Sequence, residues 1–173
     1  MNLSSEEDFF ATYFCDFVAF MTDLNQILNF LPLSETIATA GQPTVEQFSD
    51  IKQAGYQTIV NLAPATSTYA IPNEQEIVES QGMQYVHIPV VWEEPTQEDF
   101  ERFVSTINRH VNQKVFVHCA MNMRVSAFMY LYRRIQESVS DEQAKQDLHR
   151  IWMPNDTWQT FIDQVLERNL GID

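Results

Sequence analysis

The sequence is poor in cysteine, histidine and basic residues, and it contains no long apolar run. Two cysteines, Cys15 and Cys119, cannot form a disulfide framework, which favours a reducing, cytoplasmic setting. With 10 Lys and Arg against 24 Asp and Glu, the net charge is −14, which argues against a general affinity for nucleic acid or for an anionic membrane. Four scattered histidines without ligand spacing argue against a zinc site. No run reaches the roughly 18 apolar residues of a membrane span.

The first 34 residues are predicted to be an N-terminal helical extension of a domain that covers residues 35–173. The start of the chain is acidic where a signal peptide would be basic, so we expect no such signal. Large apolar residues recur in this segment at the spacing of one helical face, namely Phe10, Phe14, Phe17 and Met21. This face predicts either a helix that covers the core or a surface that binds a partner.

Beyond residue 34, short apolar segments alternate with helical patterns. Thr44, Asn73 and Ser140 are predicted N-caps because Gln or Glu stands three residues after each, and Thr96 is predicted to start another helix. The predicted strands are 37–43, 57–62, 83–88 and 115–117, and the last two helices begin near residues 140 and 155. This alternation predicts an α/β fold, with a mainly parallel central sheet flanked by helices on both faces.

The segment that joins strand 115–117 to the next helix has the composition of an anion-binding loop. A helix start presents unpaired N–H groups, which favour a thiolate at Cys119. Arg124 can donate two hydrogen bonds to an oxyanion, and Asn122 tolerates a positive φ in mid-loop. We predict Cys119 as a nucleophile, Arg124 as its oxyanion partner, and a phosphate-binding loop of Cys119, Ala120, Met121, Asn122, Met123 and Arg124. This is the arrangement expected of a cysteine phosphatase.

Each of these residues also has an interpretation without chemistry. Cys119 could be an inert buried cysteine, Asn122 a polar turn residue, and Arg124 part of a surface ion pair. Ser126 could donate a hydrogen bond to the thiolate or assist an attacking water, or it could be an ordinary capping residue. His118 is predicted to support the loop through backbone hydrogen bonds and to favour the thiolate.

A phosphatase also needs a general acid that protonates the leaving oxygen. The loop at residues 89–99 follows a strand and is expected to flank the central one. Glu93, Glu94 and Asp99 are the candidates, and Glu93, beside Trp92, is the one we favour. The alternative is that all three are solvated acids of a loop and a helix start.

The pattern of His118 and Cys119, followed by a four-residue gap and Arg124, resembles the phosphate loop of tyrosine and dual-specificity phosphatases. The segments 40–43, 59–62 and 85–89 also resemble framework strands of that superfamily, and the similarity is greatest to bacterial phosphatase-like proteins related to the phosphatase-like domain of beta-lactamase-hydrolase-like proteins. It covers roughly residues 35–168. The resemblance implies a phosphate-ester substrate, a phosphocysteine intermediate, phosphate, sulfate or vanadate as ligands of the same site, and no metal or other cofactor.

Three features depart from the usual pattern of that superfamily. The gap between Cys119 and Arg124 is four residues instead of five, a shortening shared with the bacterial group. Val125 stands where a hydroxyl residue usually follows the arginine, and no Asp occupies the expected acid position. The short gap also fits a rhodanese-like sulfurtransferase, although the expected N-terminal Asp-Val-Arg-type strand is missing. A third interpretation is a weakly active phosphate-binding module.

Overall fold

Five strands and six helices make up residues 24–171, the part of the chain that the computed structural model describes. The predicted helical face of Phe10, Phe14, Phe17 and Met21 lies outside these residues, and so does Cys15. The strands are β1 (Leu31–Pro32), β2 (Ile37–Ala40), β3 (Thr58–Asn61), β4 (Gln84–His87) and β5 (Val115–His118). The helices are α1 (Gln47–Gln53), α2 (Glu74–Ser80), α3 (Gln97–Arg109), α4 (Met123–Ile135), α5 (Asp141–Ile151) and α6 (Asp156–Leu170).

The strands form one sheet in the order β1-β2-β5-β3-β4. All neighbours are parallel except β1, which runs antiparallel to β2. The predicted mainly parallel sheet is therefore confirmed. Because β5 lies between β2 and β3, the carboxyl ends of these three strands meet at one edge, where parallel sheets place their ligand sites.

Strand β5 is buried along its whole length and contributes to both cores. Val115 and Val117 pack in a large core with the apolar faces of α3, α4, α5 and α6. Phe116, whose side chain points to the opposite face, packs in a second core with residues of α1 and α2. Helices therefore cover both faces of the sheet, as the alternating pattern predicts.

The polar residues predicted at helix starts have different outcomes. Thr96 accepts a hydrogen bond from the amide of Asp99, and Ser140 caps its helix in the same way. Asn73 does precede α2, but its side chain makes no capping bond, so the capping box predicted there is wrong. Instead, the first residue of the helix, Glu74, is buried and belongs to the site described below.

Residues 24–34 pack on the sheet although the sequence assigns them to the extension. Leu24 and Ile27 are buried in the same core as Phe116, and β1 forms one edge of the sheet. The domain boundary after residue 34 remains a prediction. No helix in the described part of the chain combines the length and apolar character needed to cross a bilayer.

Candidate active site

Four residues, Cys119 to Asn122, connect the end of β5 to the start of α4. Cys119 is buried, and its amide donates a hydrogen bond of 3.3 Å to the carbonyl of Ala40 at the end of β2. A cavity of about 180 Å³ opens beside this loop. Its lining consists of Trp92, Cys119, Ala120, Met121, Met123 and Arg124. The structure thus brings Cys119 and Arg124 to one small cavity.

Asn122 leaves the start of α4 without a side-chain cap. It has the left-handed conformation, φ 64°, that the sequence analysis expects in mid-loop. Its side-chain amide donates to the carbonyl of Asn29 at 2.8 Å and to Oγ1 of Thr39 at 3.0 Å. Because this side chain is turned to the scaffold, the amides of the first turn of α4 keep their capacity to bind an anion.

The carbonyls of the loop are held by donors that do not line the cavity. The carbonyl of Ala120 accepts from the amide of Gln42 at 3.1 Å, and that of Met121 accepts from Nδ2 of Asn29 at 3.0 Å. The carbonyl of Met123 accepts from Nε1 of Trp152 at 3.1 Å. With its acceptors occupied on the outer side, the loop is suited to present donors to an anion.

Gly41 permits the close approach of β2's end to this loop. A Cβ atom at this position would lie 2.9 Å from the carbonyl oxygen of Ala120 and 3.0 Å from the side chain of Leu28. The Gly41 amide also donates to the carbonyl of Leu28 at 2.6 Å. Any larger residue would push apart the segments that position the loop.

Arg124 is the most unusual charged residue of the site. Only 9% of its surface is exposed, and its guanidinium forms no hydrogen bond or ion pair with any residue between 24 and 171. Within the described part of the chain, Nε is buried without a partner, and the guanidinium carbon lies 5.3 Å from the centre of the Trp92 ring. A buried, unpaired cation is costly, so this arrangement is typical of a residue that awaits an anionic ligand.

A buried polar network lies directly behind Cys119. Nε2 of His118 is 2.9 Å from a carboxylate oxygen of Glu74, and Nδ2 of Asn61 donates to the same oxygen at 3.0 Å. Gln42 also donates to this carboxylate. The network therefore joins α2 to the ends of β5 and β3 and to the segment after β2. Within residues 24–171, the His118 side chain bonds to this carboxylate and makes none of the backbone hydrogen bonds predicted for it, and its supporting role remains a prediction.

The environment of Glu74 favours its ionised form. Burial by itself raises the pKa of Glu74, but His118, Gln42 and Tyr85, which face the carboxylate, outweigh this effect and hold the pKa below its ordinary value. Burial and the charge of Glu74 together raise the pKa of Tyr85 above its usual range. Sequence reasoning missed Glu74, since nothing in the pattern around it distinguishes a buried acid from a solvated helix-start acid.

Ser126 does not donate to the thiol of Cys119 in this structure. Its hydroxyl donates to the carbonyl of Met123 at 3.0 Å and lies 3.1 Å from Nε1 of Trp152, which acts as the donor. The catalytic role of Ser126 remains a prediction. Nothing in the sequence indicates the contact of Trp152, at the end of α5, because this residue lies about thirty residues from Met123, whose carbonyl it binds.

The candidate acids do not line the cavity. Glu93 and Glu94 are exposed, although Glu93 directly follows the lining residue Trp92. Asp99 accepts a hydrogen bond of 2.7 Å from Thr96 at the start of α3. The identity of the general acid remains a prediction. Within residues 24–171, no group of three or more His, Cys, Asp or Glu is placed to hold a metal ion.

Several known proteins are similar to this chain in sequence or in fold. A DUF442 protein of Shewanella putrefaciens CN-32 is 33% identical to this chain. Its crystal structure aligns over 86% of this chain and 98% of its own, with a TM-score of 0.78. The core catalytic domain of the PP-IP phosphatase SIW14 from S. cerevisiae, in complex with citrate, has a TM-score of 0.68, with 84% of this chain and 90% of that domain covered. At 17% identity it shares the fold alone.

Among curated proteins, the beta-lactamase hydrolase-like protein of Xylella fastidiosa (strain Temecula1) is 28% identical over 100 residues. The match spans 56% of this chain but only 23% of the length of that protein. The family model described as a DSP-PTPase phosphatase fused to NAD+ kinase matches residues 21–164. The chain therefore belongs to this family of phosphatase domains, which has the tyrosine and dual-specificity phosphatase fold.

Proposed function

We propose that this protein is a cysteine-dependent phosphatase that hydrolyses a phosphate monoester, of a phosphoprotein or a small aryl phosphate, through a phosphocysteine intermediate. The observation that carries the proposal is Arg124, whose buried Nε has no partner among the described residues and whose side chain lines the same small cavity as Cys119. The uncapped first turn of α4 adds donors for the same anion. Membership of a phosphatase family supports the same reaction class.

The proposed reaction consists of two successive displacements at phosphorus. Arg124 and the first-turn amides of α4 bind the non-bridging phosphoryl oxygens, and the thiolate of Cys119 attacks phosphorus. The S–P bond forms as the P–O ester bond breaks, and the leaving oxygen takes a proton from the general acid, for which we propose Glu93. A water then attacks phosphorus and gives a proton to the same carboxylate, and the S–P bond breaks, which releases the Cys119 thiolate and inorganic phosphate.

The test is hydrolysis of an aryl phosphate from pH 5 to 8 without added metal. Cys119→Ser and Arg124→Ala should both abolish turnover, while Cys15→Ser, which leaves the site cysteine intact, should retain it. Turnover that persists in Cys119→Ser would refute the phosphocysteine mechanism. An inactive wild type that still binds phosphate, sulfate or vanadate would identify a binding module instead.

A rhodanese-like sulfurtransferase is the second candidate, and the lack of a carboxylate in the described cavity lining is the feature that favours it. No carboxylate lines the cavity among the described residues, and sulfur transfer needs no acid, because sulfite leaves thiosulfate as a stable anion. The thiolate of Cys119 would attack the outer sulfur, forming an S–S bond as sulfite departs with the electron pair, and cyanide would then remove that sulfur as thiocyanate. Thiocyanate formation from thiosulfate and cyanide, lost in Cys119→Ser, would support this candidate.

A further inference from the structure

The loops at the edge of the sheet where the cavity opens contain no basic residue. Four of them follow β2, β3, β4 and β5 at the carboxyl edge of the sheet, and the fifth, between α5 and α6, reaches the site through Trp152. Glu46, Glu93 and Glu94 are the charged residues in these loops. The loops are residues 41–46, 62–73, 88–96, 119–122 and 152–155.

Among the described residues that line the cavity, Arg124 is the only cation. It can neutralise one phosphoryl group, but a second phosphate on the same ligand would find no Lys, Arg or His in any of these loops. Such a phosphate would instead approach the exposed carboxylates of Glu93 and Glu94, which directly follow Trp92 in the cavity lining. The site is therefore built for a single phosphate.

The cavity also holds only part of a substrate. Its volume of about 180 Å³ is below the range of about 300–1,000 Å³ for sites that enclose a whole small ligand. The rest of the substrate therefore lies outside the cavity, across a rim that we define as residues 91–94 and 152–153. Trp92 and Trp152 pack with ring centres 5.2 Å apart, and their chain neighbours Val91 and Met153 are 51% and 69% exposed. This part of the rim is apolar, with acidic side chains beside it.

Resting on the proposed phosphatase function, we propose that the substrate is a singly phosphorylated peptide with Lys or Arg next to the phosphorylated residue. The apolar rim accommodates the peptide, and Glu93 and Glu94 attract its basic side chains. Polyphosphorylated small molecules are poor ligands because one cation cannot compensate several phosphates. This chain therefore differs in specificity from a PP-IP phosphatase, although it shares that fold.

The test measures binding to the full chain carrying Cys119→Ser, so that turnover does not interfere. The probes are three fluorescent phosphotyrosine peptides, identical except for Lys, Ala or Glu on both sides of the phosphotyrosine, with inositol hexakisphosphate as a competitor. We expect the Lys peptide to bind roughly tenfold more tightly than the Glu peptide in low salt. This ratio should shrink in about 0.5 M salt, since exposed charges are screened.

Two further variants in the Cys119→Ser background assign the preference to the rim. Replacing both Glu93 and Glu94 with Gln should reduce the ratio towards one. Glu167→Gln removes an exposed acid near the other end of α6 and should leave the ratio unchanged. If Glu167→Gln reduces the ratio as much as the double replacement does, non-specific charge is responsible and the assignment to the rim is refuted. A ratio that neither variant changes would refute it as well.

The outcomes separate this inference from the proposed function. The proposed specificity would be overturned by equal binding of the three peptides, by tighter binding of the Glu peptide, or by displacement of the peptide with stoichiometric inositol hexakisphosphate. None of these results would contradict the proposed phosphatase activity. Failure of every phosphopeptide to bind, together with an inactive wild type on aryl phosphate, would overturn the phosphatase proposal and with it the specificity.

Discussion

The side-chain amide of Asn29 donates a hydrogen bond of 3.0 Å to the carbonyl of Met121, 92 residues later in the active-site loop. Asn122 donates in return to the carbonyl of Asn29 at 2.8 Å. Asn29 itself has a positive φ of 50°, a conformation that Asn tolerates better than most residues. The conformation of the loop therefore depends on a residue of the segment that the sequence assigns to the N-terminal extension.

We expect Asn29→Asp to lower kcat/KM on an aryl phosphate by about tenfold or less, since one hydrogen bond contributes about 0.5–1.5 kcal/mol. Asp keeps the shape and tolerates the positive φ but offers no N–H to Met121. Asn29→Gly, which relieves any strain and also removes the donor, should show a similar loss of activity. Full activity in both variants would show that this bond does not position the loop.

The sequence predicts the strands of the central sheet better than the long-range polar contacts that surround the site. Strand β5 and its neighbours are recognisable because parallel strands buried on both faces are continuously apolar. Strand β1 has only two residues and leaves no periodicity. The environment of Glu74 is invisible in the sequence, because its partners His118 and Asn61 are brought to it by strand pairing. Trp152 is equally hidden, since a tryptophan at a helix end is usually interpreted as core.

Arg124→Met should make the protein more stable and inactive. Removing a buried, unpaired cation should raise the free energy of unfolding by about 1 kcal/mol or more in phosphate-free buffer. Loss of the oxyanion partner should reduce kcat at least about 100-fold. Phosphate at about 100 times its Kd should stabilise the wild type by about 2.7 kcal/mol and the variant much less.

Arg133→Met is the matched control for that measurement. Arg133 is also buried, but it forms ion pairs with Asp147 and Glu137. Its replacement removes the closer of the two arginines that pair with Asp147, the other being Arg150 at 3.6 Å, and should lower the free energy of unfolding, as measured by urea denaturation. If Arg124→Met is as destabilising as Arg133→Met, then Arg124 has a structural role, and the interpretation of an unpaired anion-binding residue fails.

Glu74 should make folding stability depend on pH in the acidic range. Its pKa is lower in the folded protein than in the unfolded chain, where it is about 4.3. The ionised carboxylate therefore contributes stability fully above about pH 5, and this contribution is lost as the pH falls through the folded pKa. Urea unfolding of Glu74→Gln should consequently show a weaker fall in stability over that range than the wild type.

The exposed Glu76, two residues later in α2, provides the control. Glu76→Gln should have the same pH dependence as the wild type, whereas Glu74→Ala, which leaves buried donors without an acceptor, should cost about 3–5 kcal/mol at pH 7. Parallel pH curves for Glu74→Gln and the wild type would contradict a role of the ionised carboxylate in stability.

The general acid can be assigned by comparing two substrates with different leaving groups. Phenyl phosphate releases a phenol with a pKa near that of tyrosine, about 10, and needs a proton, whereas a nitrophenyl ester releases a more stable anion. Glu93→Gln should therefore lower kcat on phenyl phosphate by about 100-fold or more and remove the alkaline fall in rate, with a much smaller effect on the nitrophenyl ester.

Asp99→Asn and Glu94→Gln distinguish this assignment from its alternatives. Asp99 accepts a hydrogen bond from Thr96 and lies 3.9 Å from Arg102, so its carboxylate is already engaged at the start of α3. We expect Asp99→Asn to affect stability slightly and the leaving-group dependence not at all. A leaving-group effect in Glu94→Gln alone would identify Glu94, instead of Glu93, as the general acid. If none of the three variants shows this effect in an active enzyme, the proton comes from water, which the exposed positions of Glu93 and Glu94 would explain.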